Sequence, residues 1–173
     1  MSIYIRPIIP EDLPHILQST KDPTIRYLTG TTATFSLEQL QNHFDKTQDD
    51  QSRFDFAICL TQTGQFIGEG AILDIDRYNQ SAAFRLALSH STYFNQGFGS
   101  QAIRLLLAIV FDEYQLNRLQ LEVYSHNTRA IAAYEKLGFK REGVLRQALY
   151  YDGNYYDEIV MAMLKEEYVQ HYD

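Results

Sequence analysis

The spacing of apolar positions changes period several times along the chain. Ala82, Phe84, Leu86 and Leu88 alternate with other residues, the period of two that marks a strand with one covered face. Arg118 to Tyr124 alternates in the same way. Ile3 to Arg6 reads as a short strand, and Phe54 to Leu60 with Gln65 to Ile75 predicts a hairpin turning at Thr63-Gly64. A closing hairpin is predicted over Lys140 to Leu149 and Tyr155 to Leu164, turning through Asp152-Gly153-Asn154. Elsewhere the period is helical. Between Gly97 and Tyr114, Ala102, Leu105, Leu106, Ile109, Val110 and Glu113 trace one stripe with a single polar member. Thr128 to Leu137 reads as a second strong helix, stopped by Gly138 where a left-handed cap belongs. Pro10 to Thr20 carries Pro and acids in its first turn, with Leu13, Ile16 and Leu17 on one face. Ser36 is placed as the N-cap of a further helix whose Leu37, Leu40 and Phe44 point inward. The Thr- and Gly-rich stretch Lys21 to Phe35 reads as loop.

That order is β, α, α, an antiparallel meander, then β-α-β-α-β-β. It predicts an α/β (α+β) fold: one domain over residues 1–173, with a mixed, mostly antiparallel central sheet flanked by helices. No repeat, low-complexity segment or flexible linker divides it.

Composition narrows the function classes. A chain of 173 residues is long enough for a real core. The formal charge of −7 repels phosphate backbones and argues against nucleic-acid binding; it suits solubility, or the steering of a cationic amine. The lone Cys59, in the apolar strand Phe56 to Leu60, excludes a disulfide framework and reads as an inert buried thiol. Met1 to Pro10 lacks the apolar run of a leader, and Leu105 to Phe111 is far below the roughly 20 residues of a membrane span. A cytoplasmic protein without membrane contact is expected. The five histidines are scattered without metal-ligand spacing, so no metal is expected.

Phe94-Asn95-Gln96-Gly97-Phe98-Gly99-Ser100 stands between a strand and the long helix. Two glycines let backbone approach a ligand closely, and the helix start offers unpaired N–H groups and a positive dipole end. Together they suit a pyrophosphate. The same residues fit a dinucleotide fingerprint, Gly97-x-Gly99-x-x-Ala102, with Glu122 about 20 residues on. Against that reading stand the eight polar residues Ser89 to Gln96, where the strand should run straight into the first glycine, and the alternation of the preceding strand.

A second stretch separates these readings. Glu122-Val-Tyr-Ser-His-Asn127-Thr-Arg-Ala130-Ile-Ala-Ala-Tyr134-Glu-Lys-Leu-Gly138-Phe139 resembles the acyl-CoA-side motif of GNAT acetyltransferases, and the Gly97/Gly99 loop resembles their pyrophosphate motif. The segment with Tyr155, Tyr156, Asp157 and Met161 is similar to the end of the RimJ/RimL and spermidine acetyltransferase branches. The similarity covers essentially the whole chain. Most members carry Arg or Gln where Phe94 stands, and an aromatic residue there fits the RimJ/RimL branch.

The resemblance implies an acetyl-CoA-dependent N-acetyltransferase in which an amine attacks the thioester directly, without a covalent intermediate. It also implies roles. Phe94 to Ser100 would bind the pyrophosphate; Leu86, Ala87 and Leu88 would receive the pantetheine arm at a splayed strand; Asn127 would hydrogen-bond that arm and cap its helix. Tyr134 would protonate the leaving thiolate, since a phenol is protonated at neutral pH. Glu122 is the candidate general base, with Glu69 as the other acid in reach, and Asp157-Glu158 as carboxylates that could hold the amine. The acceptor is left open between a protein N-terminus and a small-molecule amine; the single acid Glu38 within Thr29 to Gln41 argues against spermidine. Tyr150, Tyr151, Tyr155 and Tyr156 suit a substrate groove or a homodimer face. A chain of this kind that binds acetyl-CoA as a sensor without catalysis is the alternative.

Overall fold

A computed structural model describes residues 1–172. Seven strands form one sheet in the order β1-β2-β3-β4-β5-β7-β6: β1 (Ile3–Pro7), β2 (Phe54–Leu60), β3 (Phe66–Asp76), β4 (Ser81–Leu88), β5 (Arg118–Tyr124), β6 (Lys140–Tyr151) and β7 (Asn154–Leu164). Every neighbouring pair is antiparallel except β4 and β5. The mixed, mostly antiparallel sheet is therefore as expected. The last hairpin turns on Asp152 and Gly153, both at positive φ (49° and 81°), as a two-residue type I′ connection requires.

The sheet has two differently occupied faces. Phe56, Gly70 and Leu86 stand in one cross-strand row, and Ile72 and Phe84 in the next. This face is apolar. Gly70 is needed there because a Cβ would lie 2.6 Å from the Phe56 ring. The long helix α4 (Phe98–Ala108) brings Ala102, Ile103, Leu106 and Leu107 to the core. The predicted stripe is thus rotated: Leu105, placed inward by the sequence pattern, is 39% exposed, while Ile103 and Leu107 are buried. Beyond Ala108 the helix widens, with the Tyr114 N–H bonding Ile109 O at 2.8 Å, five residues back. α5 (Thr128–Leu137) begins at Asn127, whose side chain accepts from Ala130 N, and ends at Gly138 with φ 107°.

The opposite face carries Asp55, Ala71 and Arg85 in one row and Ala57, Glu69 and Ala87 in the next. Over it lie α1 (Leu13–Ser19), entered through a short 3-10 turn at Pro10–Asp12, then α2 (Pro23–Thr29) and α3 (Leu37–Thr47). Two expectations are corrected on these elements. The stretch read as loop contains α2, with Asp22 as N-cap, Pro23 at the first helical position and Gly30 as a left-handed cap. Ser36 does cap α3, in a capping box with Gln39, yet Leu37 is 47% exposed and no residue of α3 is fully buried. A helix that the sequence pattern did not signal, α6 (Lys165–Tyr172), closes the described chain; the Tyr168 ring stacks on Phe111 and the Tyr172 hydroxyl donates to Leu137 O at 2.7 Å.

Candidate active site

The parallel pair β4/β5 holds together only from Ser81↔Arg118 to Ala83↔Gln120. Beyond Ala83 the strands part. Ser89 N–H reaches Ile67 O on β3 at 2.8 Å. Because successive residues of a strand turn their backbone groups to opposite sides, Arg85 and Ala87 also bond toward β3, and Leu86 and Leu88 turn theirs toward the gap. Their N–H and C=O groups have no strand to pair with there, and such groups need a partner. Leu86 and Leu88 can thus receive an extended ligand, whereas Ala87 offers only its side-chain face.

Two cavities meet at this gap. The smaller, of about 230 Å³, lies between the start of α4 and one side of α5. Gly97 adopts φ 79°, which favours glycine, and a Cβ on Gly97 or Gly99 would meet nothing within 4 Å. The backbone N–H groups of Phe98, Gly99 and Ser100 find no partner among the described residues, because Gln101 N–H is the first to bond back, to Gly97 O at 3.0 Å. Asn95 lines the same space at φ 60°. The Phe98 side chain turns into the core, 3% exposed, so this residue offers only its backbone. Gln96 alone of the expected loop lies off the cavity, its amide donating to Thr92 O at 2.6 Å. Phe94 supports a residue that the sequence reading missed: the Arg129 guanidinium sits 3.4 Å above its ring centroid, at the same cavity. No pattern in the sequence marked Arg129, because Phe94 is far from it along the chain and only the fold brings the two together.

The larger cavity, of about 910 Å³, lies on the polar face beneath α1–α3. Its floor is a row of charges. Arg53 grips Asp55 with two bonds of 2.6 and 2.7 Å, and Arg85 donates from Nη1 to Glu69 at 2.8 Å. Glu122, exposed on β5, also lines it, with Gln120 Nε2 at 3.5 Å. Across the sheet Glu158 leans on it: burial, then a hydrogen bond with Glu122 and its charge, push the Glu158 carboxyl above its ordinary range. Asp157 is turned elsewhere, accepting from Gln147 N at 2.8 Å.

Leu86, Ala87, Asn127 and Tyr134 line both cavities. Tyr134 packs edge-on to Phe84 and Phe139, at 6.0 and 5.9 Å between centroids, and its hydroxyl has no hydrogen bond among the described residues. Burial pushes the phenol up to about 12, only partly offset by Arg129. It therefore keeps its proton through the neutral range.

Residues 2–140 match the model of the acetyltransferase (GNAT) domain. The chain belongs to the GNAT acetyltransferase family. The SPbeta prophage-derived uncharacterized N-acetyltransferase YokL of Bacillus subtilis is 30% identical over 168 residues, covering 96% of this chain and 92% of that protein. The spermidine N(1)-acetyltransferase of Escherichia coli K12 is 27% identical, covering 97% and 89%. Among solved structures, spermidine N-acetyltransferase from Vibrio cholerae in complex with CoA and spermine superposes with a TM-score of 0.90 at 24% identity, over 96% of this chain and 98% of that one, which is a likeness of fold. As a GNAT enzyme the protein is an acetyl-CoA-dependent N-acetyltransferase. Among the described residues no cluster of three or more His, Cys, Asp or Glu is gathered to hold a metal, and no helix is long and apolar enough to cross a membrane.

Proposed function

We propose that acetyl-CoA lies in the smaller cavity and the amine acceptor in the larger one, with transfer across the gap between β4 and β5. The observation that carries this reading is that Leu86, Ala87, Asn127 and Tyr134 line both cavities. Acetyl-CoA supplies an activated thioester carbonyl and a thiolate leaving group. The N–H groups of Phe98, Gly99 and Ser100 hold the pyrophosphate at the positive end of α4, and Arg129 adds a cation beside them. Asn127 and the free groups of Leu86 and Leu88 hold the pantetheine arm, and an N–H of that strand polarises the carbonyl. Glu122 accepts the proton of the incoming ammonium and passes it to solvent; as the C–S bond breaks Tyr134 gives its proton to the departing sulfur, and the second proton, shed by the acylated nitrogen, restores the phenol. Glu69 is the poorer base because Arg85 already occupies it.

A cavity of about 910 Å³ is of the size that encloses small ligands, which favours a small-molecule amine over a protein N-terminus. The buried free thiol of Cys59 suits a reducing cytoplasm. A homodimer is also proposed: Val144 and its neighbour Leu145 are both 51% exposed, so β6 is bare on both faces.

Calorimetry with acetyl-CoA tests the donor site. Wild type should bind, and Gly99→Val, whose side chain fills the open space at the helix start, should bind at least about tenfold more weakly. No binding by wild type, or an unchanged Gly99→Val, overturns the placement.

A further inference from the structure

The larger cavity has an unusual charge arrangement for a site that takes an amine. Its acids are largely spoken for. Asp55 is gripped by two Arg53 donors and Glu69 shares Oε1 with Arg85, which leaves Glu122, with Glu158 behind it, as the lining carboxylate that no arginine pairs with. Its arginines are less fully spoken for. Arg85 spends only Nη1 on Glu69, and its side chain is 48% exposed. Arg26, on α2, spends only Nη1, on the carbonyls of Thr20 and Ala33 at 3.0 and 2.8 Å. No acid pairs with Arg26 among the described residues. Each of these two guanidinium groups therefore keeps Nε and Nη2 for a further acceptor, in the fork that matches a carboxylate.

The place of Arg26 matters. Its helix neighbours Ile25, Leu28 and Thr29 line both cavities, so α2 runs alongside the gap where transfer takes place. Gly30 ends that helix against the Tyr124 ring, where a Cβ would lie 2.7 Å from a ring carbon. This close approach fixes α2 on β5, the strand that carries Glu122. One wall of the acceptor cavity thus offers a carboxylate, and the helix above it offers a cation without an anion.

We infer that the acceptor is an amine that also bears a carboxylate, its ammonium group facing Glu122 and its carboxylate held by Arg26 with Arg85. This deepens the transfer reading above and rests on it. A polyamine is disfavoured on the same grounds, because a second ammonium group would meet guanidinium groups where it needs acids.

The test compares amino carboxylates with their amides, and both with spermidine, as acceptors for acetyl-CoA, with rates referred to the concentration of the ammonium form, the form that faces Glu122. In wild type the carboxylate form should exceed its amide by at least about tenfold in kcat/KM, chiefly through KM, as one charge-assisted pair provides. Arg26→Gln can still donate to the carbonyls of Thr20 and Ala33 but lacks the charge, and it should bring the ratio close to one; Arg26→Lys should restore part of it. Misfolding lowers both rates and leaves the ratio, so the ratio reports specificity. Amide and carboxylate used equally, or spermidine preferred, would overturn the inference while leaving the acetyltransferase reading intact. Acetyl-CoA binding without acetylation of any amine in the panel would overturn it too and favour a sensor. Absence of acetyl-CoA binding would sink the transfer reading first.

Discussion

Tyr134 is the residue where burial and chemistry make the same demand. An acid that must hold its proton until the thiolate leaves is helped by an apolar surrounding, and Phe84 and Phe139 supply it. Tyr134→Phe should keep acetyl-CoA affinity and lose roughly 10²–10⁴-fold in kcat, the usual worth of a positioned acid. With the phenol pushed up to about 12, no alkaline fall in kcat should arise from it below about pH 10 in wild type. Unchanged turnover in the variant would reduce Tyr134 to packing. Glu122→Gln should lower kcat/KM most at neutral pH, where an amine arrives protonated, and the loss should shrink as pH nears the amine's own pKa. Glu69→Gln is the control, and an equal pH-dependent loss there would transfer the role. At this scale the sequence was informative wherever a residue's type serves its backbone. Gly97, Gly99 and Asn127 stand at a helix start, and their offsets from it can be counted. Arg129 was not legible, because its partner Phe94 lies 35 positions away and only the fold brings guanidinium over ring. Nor was the free state of Arg26, which depends on which acids other arginines have taken.

At the scale of elements, α2 and α6 were missed for a common reason. Each is short, seven and eight residues, and buries little: Ile25 alone in α2 and nothing fully in α6. A helical stripe needs at least two turns of repeated apolar positions to stand out. The legible signals were the ends, Asp22-Pro23 and Gly30, rather than the interior. The entry to α1 is held differently. Asp12, 3% exposed, accepts from Arg6 at 2.7 and 2.9 Å and from Ile9 N at 2.9 Å. Burial alone would raise that carboxyl, yet the bonds from Arg6 and Ile9 outweigh it and hold it below its usual value. A group whose folded pKa is depressed stabilises the fold above its unfolded pKa and loses that contribution as pH falls through the folded one. Stability should therefore decline below about pH 4, the unfolded range of an aspartate. Asp12→Ala should cost about 2 kcal/mol at neutral pH, less than a fully buried pair because the Arg6 side chain is 28% exposed, and should flatten the acid limb of a denaturant-midpoint profile. An unflattened limb would mean that another carboxylate sets it.

For the molecule as a whole, period-two patterning made the strands legible but not their order. Pairing is non-local, so nothing in the sequence pattern alone placed β7 between β5 and β6, and nothing there revealed the gap, which is a stretch of ladder that fails to form. That order leaves β6 at the sheet edge. Its register shifts between Arg141 and Gly143 and again between Leu145 and Leu149, where Gln147 adopts φ 53°, so the strand bends at these bulges. Adjacent residues of a strand face opposite sides, and Val144 and Leu145 are nevertheless equally bare, while the rings of Tyr150 and Tyr155, tilted to one another at 5.0 Å between centroids, remain 61% and 63% exposed. An exposed apolar edge of this kind invites pairing. A second copy of the chain is the occupant to expect, since one hairpin could then cover the other across a two-fold axis and bury the roughly 800 Å² per partner of a stable interface. Light scattering on the purified protein should give at least twice the 20.1 kDa chain mass. Leu145→Lys, which places a charge in that face without touching either cavity, should shift the mass toward a single chain and leave acetyl-CoA affinity unchanged. A wild-type mass of one chain at micromolar concentration would show that the arm stays bare, and the bulges at Gly143 and Gln147 would then be the device that keeps the edge from pairing.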